Sequence, residues 1–401
     1  MASMSTIQAR IRSFVMKHWV VLVAVLGIIG VLSAGLLFRI DSLLPGGYSA
    51  HEVATYNNAA SLKDIWHNPI NAPYEIVVHI LRSVFPGHLV TVRLTSIFVG
   101  WLTILIFFWL LFKWHGLRTA LFGTLLFGTS SWFLHTARLG TPDVVLLGLF
   151  SIVACGVWLR EHRAPGAVLL GLVISSLLLY TPGMVWFLGI GLLWQWSSID
   201  RAFKHNKGSL GIGTLLFLAI VAPLLWHFYQ HPAHIADWLC LPDSWAQPLH
   251  LLRNIIDVPL AVFVRGQASP ETWLGRLPLL TVFSTVMFAI GSYVYMRHAK
   301  LARVKLFVLL GILGSIVIGL SDDKISLTVL VPFIYMVVAA GVGYLIEIWF
   351  NVFPRNPLAR SLGALAVAAV VGITCVYNIR SYFIAWPQAD ITQALFQREK
   401  P

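Results

Sequence analysis

The sequence is poor in charge. Only 11% of its 401 residues are Asp, Glu, Lys or Arg, whereas 58% are hydrophobic. A soluble domain carries roughly a quarter charged residues. A water-covered globular fold is therefore excluded, and the long apolar stretches must lie in lipid. Cysteine is also scarce. Of the three, Cys155 and Cys375 fall in apolar stretches and Cys240 in a polar loop, which excludes a disulfide framework or a thiolate metal site. No loop carries a Gly-rich phosphate cradle, so no nucleotide site is expected. Tandem repeats and low-complexity linkers are lacking too. The formal charge is +12, but the basic residues occur in short runs between apolar spans. That distribution reports membrane orientation and argues against a nucleic-acid partner.

What the chain does have is span after span of apolar residues near the ~20 needed to cross a bilayer. The pattern predicts an all-α polytopic membrane protein with eleven transmembrane helices, at 19–38, 89–112, 119–135, 143–159, 165–181, 183–198, 209–229, 277–296, 305–321, 326–348 and 361–379. The first, preceded by Arg10, Arg12 and Lys17, is long enough for an uncleaved helix rather than a signal peptide. With the N-terminus inside, sixteen of the 28 basic and three of the 16 acidic residues fall on the inner side, leaving it at +13 and the outer side at −1. The orientation is thus N-in/C-out, in the cytoplasmic membrane. The whole of 1–401 reads as one integral-membrane domain, with polar sequence in three outside segments. These are a first loop at 39–88, a long loop at 230–276 and a short tail at 380–401.

The first loop has internal order. Glu52 to Leu62 can form a helix. From Asn71, the residues Ile76, Val77, Ile80, Leu81 and Val84 make one apolar face against Glu75, His79 and Arg82, at helical spacing. The long loop repeats this over Leu249–Val264. Such helices suit the membrane surface and would roof a cavity at the outer leaflet.

Two carboxylates stand out by position. Glu52 follows the first span, and Asp143 opens the fourth in Ala137-Arg138-Leu139-Gly140-Thr141-Pro142-Asp143. A capping acid at a helix N-terminus is the plain alternative for Asp143, and an ordinary loop acid for Glu52. Arg138 would pair with Asp143 or bind a phosphate. A second constellation joins His227, His231 and His234 with Asp237. Its i, i+4, i+7 spacing puts three imidazoles on one helical face, as metal sites do. Pro232 and the flanking Trp226, Phe228 and Tyr229 equally fit interfacial histidines. His227 and His231, with Glu75 as a carboxylate, are the candidate metal ligands.

Several of these stretches, in order, form a resemblance. GGYSAHEVATYNNAASL resembles the first-loop signature of the GT-C glycosyltransferases, nearest to the protein O-mannosyltransferase and aminoarabinose-transferase branch. Asn71-Ala72-Pro73-Tyr74 is similar to that branch's Pro-containing stretch before its second surface helix. Phe85-Pro86-Gly87 with Val92-Arg93-Leu94-Thr95-Ser96 is similar to its entry to the second span, and Ala137-Arg138 to Pro142-Asp143 to its second loop. The match covers about residues 40–160, with a weaker Asp323-Lys324…Pro332 pattern beyond.

The resemblance implies transfer of a sugar from a polyprenyl-phosphate donor to a lipid, glycan or protein acceptor on the extracytoplasmic face. It implies catalytic roles for Glu52 and Asp143, a divalent metal as the cofactor some branches use, and donor-phosphate binding by Arg138, Arg265 or Lys324. The motif aromatics Tyr56 and Tyr74 are its substrate-binding candidates. Where the family has an Asp-Glu pair this chain has His51-Glu52, so either Glu52 or His51 takes the role of base. Two alternatives stay open. A transporter or flippase would place ionisable groups near mid-span, which these helices nearly lack. A non-catalytic membrane protein would keep the fold without the base.

Overall fold

The computed structural model describes residues 23–43, 47–162, 165–192, 207–243, 247–266, 276–322 and 324–396. Among the described residues the chain is helical and without strands. Nineteen α-helices of the described residues follow in order: α1 Val23–Leu37, α2 Ala50–Asn58, α3 Leu62–His67, α4 Ala72–Val84, α5 Val90–His115, α6 Leu117–Thr129, α7 Ser131–Arg138, α8 Leu149–His162, α9 Pro165–Leu178, α10 at 184–192, α11 Lys207–Gln230, α12 His234–Trp238, α13 Pro248–Phe263, α14 Val282–Arg297, α15 Ala302–Leu320, α16 Val331–Val352, α17 Pro357–Arg380, α18 Trp386–Gln388 and α19 Asp390–Leu395. Six helical stretches among the described residues are long and apolar enough to cross a membrane, with α1 and α9 as shorter apolar helices. This is the build of a polytopic membrane protein.

Some predicted spans differ in detail. The span predicted over 119–135 is two helices, because Ser130 turns extended (φ −60, ψ 138) and caps α7 through Phe133 N. The span predicted from 143 starts as a 3₁₀ turn, Pro142–Gly148, and becomes α-helical only at Leu149. The predicted span at 183–198 lies partly outside the described residues.

The interior is organised around α16, 78% of whose central window is buried. Small residues let it touch its neighbours backbone to backbone. A Cβ at Gly291 would lie 2.0 Å from Val337 O, and one at Gly341 2.0 Å from Met287 O, so α14 and α16 cross at glycines. Gly123 likewise admits Ala339 beside α6. In a bilayer, where apolar surface gains little by leaving lipid, such close approach is what holds helices together. Aromatic packing adds to it: Phe107 on α5 stacks on Phe127 of α6 at 4.4 Å.

One end of the bundle carries the polar segments. Helix α2 starts in a capping box, with Ser49 Oγ accepting from Glu52 N and the Glu52 carboxylate accepting from Ser49 N. Ser61 caps α3. Asn71, left-handed at φ 64, opens α4, and its N–H donates to Tyr180 O in the turn after α9. Helices α4 and α13 are the surface helices expected from periodicity. The described part of the predicted tail is not a free end. Beyond α17 the helix runs on through a π-helical turn, Ser381–Ala385, and Trp386 and Phe396 are wholly buried.

Candidate active site

Glu52 lies at the centre of the polar end and is completely buried. Its Oε1 accepts from Arg93 Nε at 2.7 Å and from Gly140 N at 2.9 Å. Its Oε2 accepts from Arg93 Nη2 and Ser49 N, both at 2.9 Å. Arg93, 3% exposed, spends its other donors on Ile40 O and Gly47 O, and its face lies 4.0 Å from the Tyr48 ring. One carboxylate thus joins the segment after α1, the start of α2, the start of α5 and the loop before Asp143. The reason is physical. A guanidinium near the start of an apolar helix must be satisfied inside the protein, and a buried ion pair holds only when further hydrogen bonds fill the remaining sites.

In this arrangement the Glu52 carboxylate, expected as a base, is fully hydrogen-bonded within the protein. Both oxygens carry two donors each, so a substrate proton finds no vacant lone pair. Glu52 is a strut that brings the first and second loops together. Sequence reasoning missed its partner, Arg93, treating it only as part of a span-entry motif. A charge three residues inside an apolar helix was the available signal.

Arg138, expected to bind the donor phosphate, is also engaged within the protein through both Nη groups, while its buried Nε has no partner. It is 3% exposed, donates to Gly35 O at 2.5 Å and Phe38 O at 2.7 Å at the end of α1, and sits 4.8 Å from the Phe383 ring. A donor phosphate would have to displace those carbonyls. Tyr74 is buried as well. Its hydroxyl donates to Val92 O and shares a proton with Ser96 Oγ, both at 2.8 Å. It pins α4 to α5 rather than meeting a substrate, and burial pushes its phenol well above the usual range. Tyr56 is partly buried under the Arg82 guanidinium, 4.0 Å from its ring.

Asp143 stands apart from these. It is exposed at the first turn of the 3₁₀ segment, three residues beyond the Gly140 that Glu52 holds. Both Glu52 and Asp143 lie close enough to Tyr74 to act on its ionisation, so the two loops do converge. Asp143 also acts on the buried Cys240, as does Lys324. Lys324 Nζ donates to Leu241 O and to Asp243 Oδ1, both at 2.8 Å, and this pairing pushes its amine up. Lys324 thus joins the long loop to the start of the α16 segment. His51 is exposed beside Glu52 on α2, and Arg265 is exposed just past α13.

The histidines do gather. His227 Nε2 and His234 Nδ1 are 2.9 Å apart, and His231 packs on both rings at 5.1 and 5.6 Å. Yet among the described residues no group of three or more His, Cys, Asp or Glu side chains is arranged to hold a metal ion. Glu75 is engaged elsewhere: it is buried in α4, hydrogen-bonded to Asn58, and burial raises its carboxyl to about 7.

No family model and no curated protein matches the chain. Solved structures do. ArnT from Cupriavidus metallidurans bound to undecaprenyl phosphate aligns with a TM-score of 0.57 and 14% identity, over 95% of this chain and 77% of that one. ArnT from the same organism in the apo state aligns with a TM-score of 0.56, at the same identity and coverage. The chain shares the fold of these structures.

Proposed function

We propose that this protein is a membrane glycosyltransferase that takes a sugar from a polyprenyl-phosphate-linked donor, at the extracytoplasmic face of the cytoplasmic membrane. The shared fold with ArnT supports the class. The observation that carries the reading is the exposed Asp143, set at the convergence of the two loops by the Glu52–Gly140 strap.

Asp143 acts as base toward an acceptor hydroxyl. The acceptor oxygen forms the new bond to the sugar's anomeric carbon. The bond from that carbon to the phosphate oxygen breaks, and the electron pair leaves with the polyprenyl phosphate. The acceptor proton passes to Asp143, while Lys324 meets the charge on the departing phosphate. Arg265 and the exposed His51 are the further candidates for phosphate and acceptor. Glu52 and Arg93 position these groups without touching substrate. A transport relay is disfavoured because Arg93 is held by Glu52 and two carbonyls, and both Nη groups of Arg138 by carbonyls at the end of α1.

The test is sugar release from a polyprenyl-phosphate sugar by the protein in nanodiscs. Release by the native protein and its loss in Asp143→Asn supports the assignment. Equal release by both removes Asp143 from the chemistry.

A further inference from the structure

The two ends of the bundle treat their guanidiniums differently. At the Glu52 end they are spent on oxygen. Arg82 Nη1 donates to Tyr56 O, Arg93 to Glu52, and Arg138 to Gly35 O and Phe38 O. The other end of α5 lies about 33 Å away, since 22 residues separate Arg93 from His115 at ~1.5 Å each. There the start of α6, the end of α16 and the start of α17 meet, and two arginines rest on one ring. The Cζ of Arg118, in the first turn of α6, is 4.8 Å from the centre of the Phe350 ring, and the Cζ of Arg360, in the first turn of α17, is 4.6 Å from it.

Neither of these guanidiniums has a hydrogen-bond or ion-pair partner among the described residues. Lys113, at the same end, is by contrast satisfied by Glu161 at 2.8 Å. Glu347, the carboxylate one turn before Phe350 on α16, is exposed and pairs with neither arginine. A cation–π contact holds a guanidinium by its face and leaves the fork of N–H donors at its edge free. Sharing one ring, the two positive charges are close neighbours. Their repulsion stays uncompensated until an anion joins them.

Depth identifies the source of that anion. Val352 at the end of α16 and Leu358 at the start of α17 are 61% and 70% exposed, so bare apolar surface reaches the level of the pair. Trp349 is exposed there too, and its indole N–H donates to Ala359 O. That is the placement of an interfacial anchor. The pair therefore sits where hydrocarbon gives way to headgroups, the level of a phospholipid phosphate.

We propose that Arg118, Phe350 and Arg360 form a binding site for the phosphate of an anionic phospholipid. The two donor forks take separate oxygens of one phosphodiester. A headgroup that also carries an ammonium brings a third positive charge to the pair and binds less well. The site is independent of the sugar-transfer reading and lies at the opposite end of the molecule from Glu52.

The experiment is native mass spectrometry of the full chain in detergent, titrated with phosphatidylglycerol, with phosphatidylethanolamine of the same acyl chains, or with inorganic phosphate. One phosphatidylglycerol is expected to bind more tightly than any further copies, and about tenfold more tightly than phosphatidylethanolamine. Arg118→Gln and Arg360→Gln should each weaken it about fivefold, the worth of one arginine at an anionic lipid surface. Phe350→Leu keeps both charges but removes their support, and should weaken it as well; the exposed Arg118 carries the test alone if that variant fails to fold. Lys300→Gln removes the same charge from an exposed turn at the same end, just beyond the Tyr295 that meets His115, and should leave the affinity within about twofold. An equal loss in Lys300→Gln would reduce the site to diffuse surface attraction and overturn the proposal. So would equal affinity for the two lipids. Displacement of the lipid by inorganic phosphate at matching concentration would name a soluble ligand and overturn it too.

Discussion

The Glu52 carboxylate accepts the backbone N–H of Gly140 at 2.9 Å across 88 residues of chain. This bond, with the two from Arg93, makes the position of Asp143 depend on a residue that touches no substrate. Catalytic geometry here is a consequence of loop anchoring, and the two can be separated by mutation.

Breaking the strut on one side leaves an uncompensated charge in a buried site. Glu52→Ala and Arg93→Ala are each expected to cost about 3–5 kcal/mol. The double variant should cost much less than their sum, since the second change removes the orphan left by the first. Thermal or denaturant unfolding of the four proteins in detergent gives the coupling energy directly. Additive losses would mean that the pair is not an energetic unit.

Asp143 is exposed, so its loss should read in chemistry and not in folding. Asp143→Asn is expected to lower kcat about 100- to 10,000-fold, the range for a general base. Its stability should change by no more than about 0.5 kcal/mol, as at other surface positions. Steady-state kinetics beside a melting curve separates this outcome from the Glu52 variants, in which both quantities fall.

Lys324 should act on the donor. Lys324→Gln is expected to raise the donor KM about tenfold, in keeping with the loss of one charge-assisted contact to phosphate. The acceptor KM should not move. A change confined to the acceptor would place the donor phosphate elsewhere.

Tyr74 distinguishes an anchor from a substrate contact. Tyr74→Phe removes the hydroxyl from Val92 O and Ser96 and should cost about 1 kcal/mol of stability, with both KM values unchanged. A raised KM at unchanged stability would return Tyr74 to the substrate.

Glu75 gives a pH dependence of known sign. Burial raises the Glu75 carboxyl to about 7 in the folded protein, whereas an unburied glutamate loses its proton near 4.5. The folded state therefore binds the extra proton between these values, and stability falls as pH rises from about 4.5 to 7. Glu75→Gln, neutral throughout, should melt higher than the native protein at pH 8, by an amount on the order of 3 kcal/mol, and should show no such gain near pH 4.5. Melting curves of the two proteins across that window check it.

Much of this molecule was legible along the chain. Scarcity of charge placed it in a membrane, and periodicity located α4 and α13 because an interfacial helix must sort its residues every turn. Asp143, singled out as a catalytic acid with a helix-start acid as the plain alternative, does lie exposed in the first turn of the 3₁₀ segment. Other features were not legible. Ser130 divides a continuous apolar stretch into α6 and α7, because a local hydrogen bond to Phe133 N outweighs uniform hydropathy. The histidine spacing located a cluster, with His227 and His234 nitrogens 2.9 Å apart.

Lipid partition and helix formation are properties of short segments, each contributing its own transfer free energy, so the sequence by itself determined that this is a many-helix membrane protein with ordered surface helices. The roles of its ionisable groups depend on which atoms meet, and those meetings span 41 residues for Glu52 with Arg93 and 103 for Arg138 with Gly35. Only the tertiary structure could decide that Glu52, Arg93 and Arg138 are spent on holding the loops. In a medium without water every such group must find an internal partner, and the fold chooses which one.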